Sequence, residues 1–110
     1  MKLDDIATAA IDWSTVPPAT QAGESGLSQA RTCELGAIRL RLVDYSPGYL
    51  ADHWCHKGHI IHVISGVLLI ERQDGHGTAL EAGMSYHVAD DAGPPHRVLS
   101  EAGARVFIVD

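Results

Sequence analysis

The sequence predicts an all-β fold, a sandwich or a barrel, from three observations. From about Ser28 onward the chain runs in short apolar-rich segments, several of which alternate apolar and polar residues, the period of a strand with one buried face. Valine and isoleucine are frequent in these segments, and β-branched side chains suit a pleated surface. Glycines and turn residues break the runs at intervals of about 8–12 residues, the spacing of consecutive strands in an all-β domain.

Taken in chain order, residues 3–11 carry Leu3, Ile6, Ala7, Ala10 and Ile11 at helical spacing, so a short helix is expected there. Pro17 and Pro18 would stop it. Residues 19–26 are polar and glycine-bearing and read as loop. Residues 1–27 thus read as an N-terminal arm, ahead of a single domain at 28–110. In that domain residues 37–45 alternate, with Ile38, Leu40 and Leu42 on one face and Arg39, Arg41 and Val43 on the other. The alternation favours outward arginines; turned inward, they would bind a carboxylate or phosphate. Residues 46–48 form a turn signal, 59–65 and 67–72 read as strands separated by Gly66, and Asp74-Gly75 marks a hairpin turn. Further strands are expected at 78–82, 85–89, 96–100 and 104–109.

Composition narrows the function. A chain of 110 residues has room for one domain. Its net charge of −6 repels phosphate backbones, and 5% aromatic residues are too few for a base-stacking platform. Nucleic acid and anionic membrane surfaces are therefore not expected partners. No apolar run reaches the roughly 20 residues of a membrane span. The start, MKLDDIATAAIDW, has no apolar core of a secretory signal. A cytoplasmic location is expected, with Cys33 and Cys55 reduced.

All seven histidines lie between His53 and His96. The segment 52–66 reads DHWCHKGHIIHVISG. Its histidines at 53, 56, 59 and 62 recur every third residue, but Gly58 and the β-branched run after it argue for strands. The expected arrangement is a strand through His53 and Cys55, a turn at 56–58 and a strand from His59. Period two then sets His53 and Cys55 on one face. His59, Ile61 and Val63 share a face on the second strand, with His62 opposite. Imidazole and thiolate are groups that zinc, iron(II), copper and nickel prefer. The cluster is a metal cradle on one reading and ordinary polar residues at a strand end on another. His96, after Pro94-Pro95, starts a strand and is a further candidate from a distant hairpin.

These residues resemble the motifs of the cupins. The first cupin motif is G-x5-H-x-H-x3,4-E-x6-G, and Gly48, His53, Cys55, His59 and Gly66 fall on it, with four residues after Gly48. The second is G-x5-P-x-G-x2-H-x3-N, on which Gly83 and His96 match in type. The resemblance covers about residues 36–109. The segment DHWC at 52–55 is similar to a subgroup of small cupins named for an Asp-His-Cys-Trp motif. The resemblance implies a double-stranded β-helix, or jelly-roll, barrel with a metal inside its mouth. It gives His53 and Cys55 the two histidine positions of the first motif, His59 the glutamate position and His96 the histidine position of the second. It also implies a homodimer, for which the arm offers an exchangeable segment. The chain departs from the pattern where the glutamate is absent, where Ala89 replaces proline, where two extra residues precede His96 and where Ser100 replaces asparagine.

Two versions of the site follow. With Cys55 ligating, His53, Cys55, His59 and His96 suit tetrahedral zinc, and a filled tetrahedron leaves little room for chemistry. With Cys55 aside, three histidines leave positions open, as in the carboxylate-free iron(II) sites of thiol-oxidising cupins. The expected cofactor is one divalent transition metal, zinc first, with iron(II) or nickel as alternatives. The expected function is a metal-dependent enzyme for a small polar molecule, or a non-catalytic metal- or ligand-binding module. No catalytic residue is assigned. Tyr45, Tyr49, Tyr86, His87 and His56 are second-rank candidates, and Asp52 is a candidate to orient a ligand histidine. His62 and His76 are expected to face away from the metal.

Overall fold

The computed structural model describes residues 3–110. It is nearly all β, with strands β1 (Ala19–Ala22), β2 (Leu27–Leu35), β3 (Ile38–Tyr45), β4 (Tyr49–Leu50), β5 (His59–Arg72), β6 (Gly77–Glu81), β7 (Ser85–Val88), β8 (His96–Ser100) and β9 (Ala104–Val109). Every pairing is antiparallel. The sheet runs β1-β2-β3-β9-β5-β8-β4, with β6 and β7 also bonded to β5. It curls around a core of Val43, Ile61, Val63, Leu68, Ile70, Leu80, Val106 and Ile108. Among the described residues no helix is long and apolar enough to cross a membrane.

β5 organises the fold. Its first half pairs with β7 and β9, its second half with β6 and β8. The two expected strands at 59–65 and 67–72 are therefore one strand. The register shifts between Val63 and Ser65, a bulge that bends the strand and increases its twist. Gly66 follows at φ +76°, and a Cβ there would lie 2.1 Å from the Gly103 carbonyl oxygen. A glycine at this position lets the strand bend without ending.

The arm differs from expectation. Residues 3–11 form no helix; Asp5 has φ +58°, outside the helical region. Nine residues are too few to hold a helix alone, and the segment stays largely exposed, without a groove to bury its stripe. The first two residues of the expected arm lie outside the described residues. The turn is a short 3-10 segment, Trp13–Thr15, capped by the Asp12 carboxylate, which accepts from the Ser14 N–H and hydroxyl. Trp13 meets Phe107 edge to face at 6.4 Å, and the Arg31 guanidinium donates to the Trp13 and Val16 carbonyls. This strap lies on the outer face of the sheet, where Phe107 is paired with Leu42. Residues 19–22, read as loop, instead form β1, because the turn between Gly23 and Gly26 aligns Ala22 with Leu27.

Candidate metal centre

The site sits where β3, β5, β8 and β9 meet the loop before β5. The strand expected through His53 and Cys55 is reduced to one bridge: the Cys55 N–H donates to the His96 carbonyl at 2.7 Å, and the His96 N–H returns a bond at 3.0 Å. Bends at residues 52–53 and 57, on either side of Cys55, hold the ladder to this one bridge. The bridge fixes the thiol beside the buried His96 ring. His59 opens β5, on the face it shares with buried Ile61 and Val63, as period two predicts. Its ring lies 5.1 Å from that of His96 and nearly perpendicular to it. Cys55, His59 and His96 thus form one group whose candidate donor atoms all lie within 4.8 Å of one another.

His53 is not in that group. Its side chain is 68% exposed, and Nδ1 lies 2.8 Å from the Asp52 carboxylate. It lines the same cavity, at its exposed end. Asp52 therefore partners His53 rather than a histidine of the triad. His56 also lines the cavity and is exposed. His62 is exposed with Nδ1 2.8 Å from the Ser85 hydroxyl, and His76 pairs with Asp74. Tyr86 packs against the core and His87 is exposed; neither lines the main cavity.

Asp110 takes the orienting role. Its side chain is 4% exposed, and Oδ2 lies 3.0 Å from His59 Nδ1. Arg39 donates from Nε and Nη2 to its two oxygens at 2.9 and 3.1 Å, and Arg41 Nη2 donates at 2.7 Å. Burial alone would raise this carboxyl. The hydrogen bonds and charges of the two arginines overcome burial and hold it at about 2. An ionised Asp110 accepts the Nδ1 proton of His59 and leaves Nε2 free to ligate, 3.4 Å from Cys55 Sγ. Burial pushes the imidazoles of His59 and His96 below their ordinary value; at His59 the Asp110 carboxylate opposes this and Arg41 and Arg39 add to it, and at His96 the rings of His59 and His56 add to it. Both rings are therefore neutral near pH 7, the form that binds metal.

The orientation expected for β3 is corrected. Arg39 and Arg41 face the cavity with Val43 and Tyr45, and Leu42 lies on the other side against the strap. Alternation misled because Asp110 pairs with both arginines on the cavity side, while Ile38 and Leu40 on the opposite face are only half-buried. Asp110 was not among the sequence candidates. Its signal was its parity with Val106 and Ile108, the buried residues of β9.

The cavity measures about 440 Å³, within the usual range for small-molecule sites. Tyr49, Trp54 and Arg97 form part of its wall, with the Arg97 guanidinium 4.4 Å above the Trp54 ring and paired to Glu71.

The curled antiparallel half-barrel is the fold of solved cupin structures. Ectoine synthase from P. lautus superposes with a TM-score of 0.73 at 16% identity, over 93% of this chain and 76% of that one. A cupin-2 domain protein from Shewanella frigidimarina gives 0.60 at 20% identity, over 74% and 78%. A cupin-superfamily sugar phosphate isomerase from Silicibacter pomeroyi gives 0.67 at 17% identity, over 92% and 74%. No protein-family model and no curated protein sequence matches the chain.

Proposed function

We propose that the protein is a metal-binding cupin that holds a divalent transition metal, zinc before iron(II) or nickel, on Cys55, His59 and His96, and acts on a small polar molecule in the adjoining cavity. The observation that carries this reading is the chain Asp110–His59–Cys55. A buried carboxylate holds one histidine nitrogen, and the other lies 3.4 Å from a thiol. Bonds of about 2.0–2.3 Å to a tetrahedral ion separate neighbouring donors by roughly 3.3–3.8 Å. The Cys55–His59 spacing of 3.4 Å falls in that range, and the three donors, all of types such an ion takes, lie within 4.8 Å of one another. Three protein ligands leave a coordination position open, and a metal so held supplies a Lewis acid or a low-pKa water.

A second reading is a closed, non-catalytic centre in which His53 is the fourth ligand. Its place on the same cavity, two residues before Cys55, supports it; its exposure and its bond to Asp52 favour the open centre. The DHWC segment supports placing the chain with the Asp-His-Cys-Trp small cupins. A homodimer is the proposed assembly, resting on the resemblance, and a cytoplasmic location is proposed from the two unpaired cysteines.

Metal content of protein purified without chelator tests the reading. Stoichiometric transition metal, lost in H59A and H96A, supports it; metal-free protein with unchanged thermal stability on adding zinc overturns it. Metal retained in H53A and lost in C55A selects the open centre.

A further inference from the structure

The cavity is cationic in an acidic protein. Four of the chain's eight lysines and arginines line it: Arg39, Arg41, Lys57 and Arg97. Among the described residues no aspartate or glutamate lines it. Asp110 is shared by Arg39 and Arg41, and Glu71 takes Arg97. Two positive charges remain in excess, in a molecule of net charge −6. Low-dielectric walls focus such a field at the opening.

Arg41 is also under-satisfied. Among the described residues only its Nη2 has a hydrogen-bond partner, Asp110. Nε is buried with no partner, a condition that costs stability unless something else supplies the acceptor. The side chain keeps 20% of its surface, on a residue that lines this cavity. Its charge also reaches Tyr45 and Tyr49 across the cavity wall. Lys57, on the loop between Cys55 and His59, stands at the exposed side.

We infer that the cavity binds a small oxyanionic molecule, a carboxylate or a phosphate, with Arg41 as its main anchor and Lys57 as the charge that draws it in. This deepens the reading of the cavity as a small-molecule site, but it does not require the metal. A guanidinium offers paired donors to a planar or tetrahedral oxyanion. Ser28, Gln21 and Tyr49, all lining the cavity, can take the rest of a polar ligand.

The test is a titration followed by ¹⁵N NMR of the chelated, metal-free full chain, including the Arg Nε–H signals. The probes are sodium acetate, sodium phosphate and, at matched ionic strength, tetramethylammonium chloride. Saturable shifts at Arg41 Nε–H and around Lys57 with acetate or phosphate, absent with the chloride salt, support the inference; the tighter of the two anions names the class. R41M should weaken binding about tenfold and K57M about threefold. Equal shifts with all three salts overturn it, as does unchanged affinity in K57M together with R41M. If R41M does not fold, unchanged affinity in K57M with no shift at Arg41 Nε–H in the unsubstituted chain overturns it alone. Zinc binding, measured separately on the same proteins, reports on the metal reading independently.

Discussion

Asp110 and His59 are 51 residues apart in sequence, and their side chains meet at 3.0 Å with the carboxylate almost fully buried. The contact decides which nitrogen of His59 is available. An ionised carboxylate at Nδ1 demands a proton there, so the lone pair is on Nε2, the nitrogen beside Cys55. The metal binding proposed for the site passes through this pair.

Replacing the proposed ligands should separate them from their neighbours. C55A, H59A and H96A should each lower zinc affinity by more than about 100-fold. H53A should lower it by less than about tenfold, as should H56A. Competition with a chromophoric chelator measures all five. A loss in H53A as large as in C55A would show a four-ligand centre.

Asp110→Asn keeps the shape of the side chain and removes its charge. Zinc affinity should fall about 10–100-fold. Stability should also fall, by about 2–3 kcal/mol, because two guanidiniums lose their counter-ion; the partial exposure of Arg39 keeps the figure at that level. Denaturant unfolding of metal-free protein isolates the second effect. An unchanged midpoint with reduced zinc affinity would confine Asp110 to orienting His59.

Gly66→Ala tests the bend in β5. The new methyl would meet the Gly103 carbonyl at a φ that side chains rarely adopt. A loss of about 3 kcal/mol or more is expected, read as a lower urea midpoint. Gly75→Ala, also at positive φ but with nothing near its Cβ, should cost less.

Tyr45 predicts an alkaline transition. Burial pushes its phenol above the ordinary value, with Arg41 pulling the other way; Tyr49 is shifted in the same direction, again by burial first. A phenol raised in the folded state adds stability that is complete below the unfolded value of about 10 and drains away as pH rises towards the folded one. Melting temperature should therefore hold up to about pH 10 and drop progressively above it, and less in Y45F than in the unsubstituted chain. Equal drops in both would remove Tyr45 as the source.

The strands were legible because alternation and glycine spacing are local. His59, Ile61 and Val63 fell on one face as period two required, and Cys55 and His59 were identifiable as ligand types from their clustering, with His96 added by the family resemblance. What escaped the sequence depends on distant partners. The facing of Arg39 and Arg41 is set by a carboxylate 71 and 69 residues away. The continuity of β5 through Gly66 is set by the Gly103 backbone, and the extended course of residues 3–11 by the absence of a groove to receive a helix. His53 shows the same limit: parity places it beside Cys55, but the loop around it is shaped by a single bridge to β8.

β9 lies between β3 and β5 and brings Asp110 to both. During translation, β3 and the histidine-bearing strand emerge well before the segment that joins them. Until that segment docks, His59 has no carboxylate to set its tautomer, and the arginines face each other without a counter-charge. The His59–Asp110 contact is thus completed only once β9 has docked between its two neighbours.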